Sequence, residues 1–205
     1  LNGGNISTEC VRNPLDWLYY GTDMAQINHI KKNFVDTPLS TYPFSSVFRH
    51  KLYLRYIRRI KVIKPLNHMP YIKADAMKFL EKQYGWRPYP QKHFESRFTK
   101  FYEGYWLPKR FGFDTRKVQY SSLILTGQMT RDEALKKLSM PALSDEEVRK
   151  DFQFIAKKLE IDEAQLTSYL EMPIKGHRDY PNQQWFFDFG AKVMKWLKLE
   201  RSIKR

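Results

Sequence analysis

Charged, hydroxyl and imidazole side chains crowd into residues 92–100, which read KHFESRFTK. Arg97 and Lys100 are three residues apart, so a helix would place both cations on one face. Arginine grips phosphate oxygens as a planar fork and lysine acts as a point charge, so the two together could clamp a phosphate. The alternative is a solvated helix face on which Glu95 pairs with a neighbouring base. The residues alone leave both interpretations open.

The first ten residues offer a weaker candidate. Gly3, Gly4 and Asn5 could present backbone amides to an anion, or they could simply form a turn. The segment matches neither of the glycine-rich nucleotide-binding patterns, G-x-x-x-x-G-K-S/T and G-x-G-x-x-G. Cys10 beside Glu9 is either a nucleophile or, as we favour, an inert thiol.

Composition limits the kinds of partner and site. A net charge of +14 and a pI of about 9.7 favour an anionic partner: a nucleic acid, an anionic membrane surface or a phosphate-bearing small molecule. A single cysteine excludes an internal disulfide and a cysteine-rich zinc site. No second histidine stands at ligand spacing from His93, so we predict no metal site. No apolar run approaches ~18 residues, so we expect no stable membrane insertion. Because the first residue is Leu1, we expect a piece of a longer chain.

Residues 46–61 combine helical apolar spacing with many cations and no acidic residue. Three interpretations stay open. The segment could bind an anionic membrane surface, bind a nucleic-acid backbone, or be the solvated side of an ordinarily packed helix. Packing is the default, and no nucleic-acid-binding motif accompanies the segment.

Periodicity and capping residues predict a mainly α fold with few short strands. The predicted helices cover about 13–34 with a break near Gly21, 46–61, 73–84, 92–110 ended or kinked by Pro108, 115–126, 130–138, 144–159, 162–172 and 182–199. A short strand is expected over 61–66. Phe94, Phe98, Phe101 and Tyr105 should share one buried face. A change of composition near Pro141 suggests two regions, 1–140 and 141–205.

Four segments resemble the C-terminal half of the N-acetyl sugar amidotransferases of bacterial surface-polysaccharide and flagellin-sugar biosynthesis. They are GGNISTEC at 3–10, KPLN at 64–67, KHFESRFTKF at 92–101 and SSLILTGQMTRDEAL at 121–135. The last two are long and specific. The resemblance runs in the same order from about residue 3 to residue 182.

The resemblance implies a two-part enzyme. Its N-terminal half would be an α/β ATP-pyrophosphatase domain of the adenine-nucleotide α-hydrolase type, and this chain would be its helical, substrate-side continuation. ATP with Mg²⁺ would adenylate the acetamido oxygen of a nucleotide-linked sugar, and ammonia would then displace AMP to leave an acetamidino group. Glutaminase and cyclase-like subunits would supply the ammonia. The setting would be lipopolysaccharide or O-antigen biosynthesis in the cytoplasm, with peripheral contact at the inner membrane surface as a further expectation.

The ATP-binding loop of that family is missing here, so the chain alone is expected to bind no cofactor and to be inactive. By the resemblance, Arg97 and Lys100 are the predicted catalytic residues, stabilising the leaving pyrophosphate. The predicted substrate-binding residues are Gly3, Gly4, Asn5, Glu9, Lys92, His93, Glu95, Ser96 and Arg131. No nucleic acid partner is expected. Two alternatives stay open: the RNA-binding half of a tRNA-modifying enzyme with the same ATP domain, and a docking platform for the glutaminase subunits.

Overall fold

The computed structural model describes residues 1–196, and those residues form helices and loops without a β-strand. The mainly α prediction is therefore confirmed, and the predicted end of the last helix at 199 lies outside the described residues. The helices are α1 (Ile6–Glu9), α2 (Met24–Phe34), a π-helix (Arg49–Ile57), a 3₁₀ turn (Pro65–Asn67), α3 (Lys73–Tyr84), α4 (Arg97–Phe101), a second π-helix (Tyr102–Trp106), α5 (Leu107–Phe111), α6 (Arg116–Leu125), α7 (Arg131–Leu138), α8 (Asp145–Lys158), α9 (Glu163–Glu171), a 3₁₀ turn (His177–Asp179) and α10 (Gln184–Trp196).

Local capping chemistry fixes many of these ends. The predicted capping boxes at Thr130 and Ser144 are both present, with the hydroxyl and a glutamate three residues later satisfying each other's backbone N–H groups. Gly85 and Gly127 follow α3 and α6 with φ of 63° and 71°. Such left-handed conformations favour glycine and end a helix. The predicted ends of α3 and α6 are confirmed.

One predicted helix start and one predicted strand are wrong. The helix expected from residue 13 begins only at Met24, because the buried Asp23 carboxylate accepts hydrogen bonds from the Ala25 and Gln26 N–H groups and caps the chain there. The strand expected over 61–66 is absent. In this region one backbone hydrogen bond is formed, from the Asn2 N–H to the Ile63 carbonyl, and the 3₁₀ turn begins two residues after Ile63. Strand pairing cannot continue because Pro65 has no N–H to donate.

The helical run from Arg97 continues past Pro108 to Phe111. A π-helical turn comes just before the proline, where the Leu107 N–H donates to the Tyr102 carbonyl, and Gly112 with φ 71° ends the run. Phe94 and Phe101 are buried as predicted, but Phe98 is exposed and stacks on Tyr102. The π turn changes the helical register, so a pattern based on 3.6 residues per turn does not hold along the whole segment.

The chain forms two compact units, the first comprising Leu1–Trp17 and Val62–Ile174. Its apolar core joins α4, α8 and α9 through Phe101, Ile155, Ala156 and Leu166. At the other end, α1 is held on α6 by polar contacts. The Val11 N–H donates to Ser122 Oγ at 3.0 Å, and Thr126 Oγ1 donates to the Ser7 carbonyl at 2.7 Å.

Among the described residues, the second unit comprises Leu18–Lys61 and residues 175–196. Asp23 lies at its centre, where its carboxylate accepts from the Tyr19 hydroxyl at 2.7 Å and the Gln183 N–H at 2.6 Å. Burial, and then the neighbouring carboxylate, raise the pKa of Tyr19. Tyr20 stacks on Phe187 with ring centroids 4.1 Å apart. The division at residue 141 stays a prediction.

Candidate anion-binding site

A cavity of about 490 Å³ opens within the first unit. Its walls come from the end of α1, the start of α3, the loop at 89–92, α6, the turn after α6, and α7. Ligand pockets of small molecules typically have volumes of ~300–1,000 Å³, so this cavity falls in the range for a nucleotide-sized ligand.

Three lysines face this cavity. Lys73 is the first residue of α3, Lys92 precedes α4, and Lys137 lies in the last turn of α7. Burial lowers the pKa of Lys73, and repulsion from Lys92 and Lys137 lowers it further. Glu9 supplies the one carboxylate of the lining, so three cations against one anion leave a net charge of +2. Such an uncompensated charge favours an anionic ligand.

Glu9 pairs with Lys92 across 83 residues of sequence, with Nζ 2.6 Å from Oε1. This hydrogen bond is the main reason that the pKa of Glu9 is lowered. Glu9 is therefore ionised and holds the Lys92 side chain at the rim, while Lys73 and Lys137 have no carboxylate partner among the described contacts.

Amide and phenol groups form the neutral part of the wall. Gln91 donates to Gln119 Oε1 and accepts from the Tyr120 hydroxyl at 3.0 Å. Gln128 accepts from the Lys73 N–H at 2.9 Å and donates to the Ser7 carbonyl at 2.9 Å. These bonds fix the amide orientations, and a fixed amide can recognise a hydroxyl or a second amide.

The structure brings three of the predicted substrate-binding residues to this cavity: Asn5, Glu9 and Lys92. Asn5 is buried and caps α1 by accepting from the Thr8 N–H at 2.8 Å. Gly4 lies behind them, where a β-carbon would come within 2.8 Å of Asn2 Oδ1 and 3.4 Å of both Glu9 Oε2 and Lys64 Nζ. Gly3 has open space around it and does not line the cavity.

The predicted catalytic pair lies elsewhere in the first unit, against Asp151. Arg97 Nε is 2.5 Å from Asp151 Oδ1, and Lys100 Nζ is 2.6 Å from Oδ2. The carboxylate is only 2% exposed, and the Arg97 guanidinium also lies 4.0 Å from the centre of the Phe154 ring. The two cations thus meet, as their spacing predicts, but a buried anion partly neutralises them.

The remaining predicted site residues do not line the cavity. His93 takes a left-handed conformation with φ 68°, and its Nδ1 lies 2.9 Å from Glu103, so Glu103 rather than Glu95 is its acidic neighbour. Ser96 caps α4 by accepting from the Thr99 N–H. Glu95 and Arg131 are exposed. Residues 1–196 contain no cluster of three or more side chains suited to hold a metal ion.

Sequence reasoning missed Lys73, Lys137, Asp151 and the glutamines of the wall. Gln128 lies inside the segment 121–135, which resembles the amidotransferase family, so the sequence did offer a reason to consider it. Lys73 and Lys137 lie at the start and end of helices, where lysines are commonly solvated. Their residue type and spacing therefore do not mark them as binding residues. Asp151 is 54 residues from Arg97.

In residues 1–196, no helix combines the length and the apolar character that a transmembrane span requires.

Comparison with protein families gives a match for residues 95–194, to the family described as "LPS biosynthesis protein WbpG-like, C-terminal domain". No curated protein and no solved structure matches the chain. The matched residues begin two residues before α4 and end within α10, so they include the Asp151 cluster and part of the cavity wall. Residues 95–194 are thus similar to the C-terminal domain of WbpG-like lipopolysaccharide biosynthesis proteins, and this similarity supports the resemblance of that part of the chain to the C-terminal portion of an N-acetyl sugar amidotransferase-like protein.

Proposed function

We propose that this chain is the substrate-binding part of an ATP-dependent amidotransferase that converts the acetamido group of a nucleotide-linked sugar to an acetamidino group. The cavity with its three lysines is the observation that carries the proposal. The match to a lipopolysaccharide biosynthesis family supports the setting. ATP and sugar nucleotides are cytoplasmic metabolites, so we place the reaction in the cytoplasm.

The cavity suits a sugar nucleotide because its two kinds of wall suit the two halves of such a ligand. Within residues 1–196 no carboxylate forms an ion pair with Lys73 or Lys137, so both lysines would pair with the diphosphate. Gln119, Tyr120 and Gln128 offer fixed donors and acceptors for hydroxyl and acetamido groups. A half-buried lysine also gains more from an anion than a solvated one, since its charge is poorly screened by water.

The reaction balances with ATP and ammonia as co-substrates. The acetamido oxygen bonds to the α-phosphorus of ATP and pyrophosphate leaves. Ammonia then attacks the imidate carbon, the carbon–oxygen bond breaks, and AMP departs with the former acetamido oxygen. Adenylation is needed because an amide oxygen is a poor leaving group. We expect ATP to bind to a separate ATP-pyrophosphatase domain and the ammonia to come from glutaminase and cyclase-like subunits.

The catalytic role of Arg97 and Lys100 stays a prediction. In the described arrangement both cations contact Asp151 and tie α4 to α8. A role at the leaving pyrophosphate would require them to share their charge between Asp151 and the ligand. Lys100→Met separates the two roles. A stabilising contact would change the midpoint of unfolding, whereas a transition-state contact would lower kcat by ~10²–10³ with little change in sugar binding.

The proposal is tested by following the acetamido oxygen. The enzyme containing this chain and its ATP domain is incubated with ATP, Mg²⁺, ammonium and an N-acetyl sugar nucleotide whose acetamido oxygen carries a heavy isotope. Mass spectrometry should find the isotope in AMP and an acetamidino group on the sugar. Formation of ADP, or unlabelled AMP with an unchanged sugar, would contradict the proposal.

Lys137→Met tests whether the cavity serves this reaction. It should raise KM for the sugar nucleotide, because it removes a cation from the wall. Lys136→Met is the matched control, since Lys136 precedes it on α7 and lies outside the cavity lining. Equal effects of the two substitutions would remove the cavity from the proposal.

A further inference from the structure

The second unit contains a long stretch without negative charge. Its residues 37–61 contain no aspartate or glutamate. Within it, residues 49–61 contain six cations, at Arg49, Lys51, Arg55, Arg58, Arg59 and Lys61. A segment this basic attracts a surface of dense negative charge.

The same segment exposes a row of large apolar side chains. These are Phe48, Leu52, Tyr53, Tyr56 and Ile57, and Ile57 is 70% exposed. The last four follow Phe48 by four, five, eight and nine residues. In a π-helix, whose hydrogen bonds join residues five apart, residues at these spacings lie on one side of the helix. Ordinary packing, the default among the three interpretations of 46–61, therefore does not account for Leu52, Tyr53, Tyr56 and Ile57, which remain open to solvent.

A second exposed row runs along α10 of the same unit. Phe189 follows Trp185 by four residues and Trp196 follows it by eleven, so all three lie on one face of the α-helix. Trp185 is 71% exposed and Trp196 is 81% exposed. The inner side of α10 is occupied by Phe186, which contacts Phe48 with ring centroids 5.0 Å apart. The tryptophan face is therefore turned away from the packing of the unit.

We propose that the second unit binds peripherally to an anionic lipid bilayer through these two rows. Tryptophan and tyrosine favour the boundary between headgroups and acyl chains, where one end of the ring is wet and the other apolar. Arginines and lysines interleaved with them meet the anionic headgroups. A folded protein partner would bury the apolar rows but would need an unusually acidic surface opposite, and RNA would use the cations but leave the aliphatic Leu52 and Ile57 exposed. The bilayer uses both features, and it requires no spanning helix.

The inference does not rest on the amidotransferase proposal. It is tested with the full chain, by co-sedimentation with vesicles of phosphatidylglycerol and phosphatidylcholine and with vesicles of phosphatidylcholine alone. The chain should bind the anionic vesicles and not the neutral ones. Binding should weaken as salt is added, because the headgroup attraction is screened within about 8–10 Å at physiological ionic strength. Tryptophan emission should shift to shorter wavelength on binding.

Two paired substitutions separate the charge from the apolar contacts. Arg58→Gln with Arg59→Gln should weaken binding about 25-fold, at about fivefold for each cation lost. Trp185→Ser with Phe189→Ser should weaken it at least about tenfold even at low salt. Lys157→Gln with Lys158→Gln is the matched charge control, since it removes two adjacent exposed cations from the first unit. It should leave binding within about twofold of wild type, because these two cations lie outside the basic segment 49–61.

Several results would overturn the inference. One is failure to bind anionic vesicles at low salt. Another is an equal loss in the Lys157 and Lys158 control, which would indicate attraction by general charge. A third is displacement from vesicles by a short RNA that binds more tightly through Arg58 and Arg59, which would assign this surface to nucleic acid. Circular dichroism confirms that each variant is folded before binding is compared.

Discussion

Replacing Asp151 with asparagine should cost the protein a large part of its stability. Asp151 is 2% exposed and is the shared partner of Arg97 at 2.5 Å and Lys100 at 2.6 Å. The amide of asparagine has the same shape, but it carries no charge and one of its two ends is a donor. Whichever way it turns, an N–H group must face a cation.

The magnitude follows from burial. Two unit charges 2.6 Å apart attract by about 6 kcal/mol at an effective dielectric constant of ~20, and desolvation of the carboxylate offsets much of that. Breaking a buried ion pair by removing one partner costs ~3–5 kcal/mol. Arg97 retains contact with water, so we expect the lower end, about 3 kcal/mol in the free energy of unfolding, or a fall of about 6–12 °C in Tm.

Glu146→Gln provides a control matched in geometry. The Glu146–Lys150 pair has the same separation of 2.6 Å, but its side chains are 67% and 60% exposed. An exposed pair contributes ~0–1 kcal/mol, so this substitution should change stability by about 0.5 kcal/mol or less. Urea unfolding followed by far-UV circular dichroism measures both variants. A loss below about 1 kcal/mol in Asp151→Asn, or equal losses in both, would refute the reasoning from burial.

Three further outcomes are expected. Lys137→Met should weaken binding of pyrophosphate to the chain by about tenfold, and Lys136→Met should not, as measured by calorimetry. Pyrophosphate binding should weaken as pH rises through the lowered pKa of Lys73, below the ordinary 10.5, because the cation is lost there. Just above that pKa it should be accompanied by proton uptake, and pH-independent binding across that range would contradict the role of Lys73. Thr130→Ala should destabilise the fold by about 1 kcal/mol through loss of the capping box of α7, whereas an unchanged urea midpoint would mean that the cap contributes little.

Features set by neighbouring residues could be predicted from the sequence. The ends of α3, α6 and α7 follow from a glycine or a hydroxyl-and-glutamate pair a few residues away. The start of α2 was missed for a related reason. The helix predicted from residue 13 is capped at Asp23 instead, and the carboxylate of Asp23 is held there because it also binds Tyr19 and Gln183 in the folded unit.

Features set by distant contacts could not be predicted in this way. Arg97 and Lys100 were singled out correctly as neighbours on one face, but the carboxylate between them belongs to another helix. The cavity combines residues from α1, α3, α6 and α7, and its positive charge exists only because tertiary packing collects lysines far apart in sequence. The residue pattern of one segment does not indicate which distant segments it will contact in the folded chain.

Binding of a sugar nucleotide to the chain and to its Lys73→Met variant tests the central claim most directly. Titration with UDP-N-acetylglucosamine as the probe, followed by calorimetry, should show one saturable site on the wild-type chain. Lys73→Met should weaken it at least about tenfold, and Lys78→Met, an exposed change on the same helix outside the cavity lining, should not. No binding to the wild-type chain, or equal affinity in Lys73→Met, would contradict the assignment of this cavity to an anionic sugar substrate.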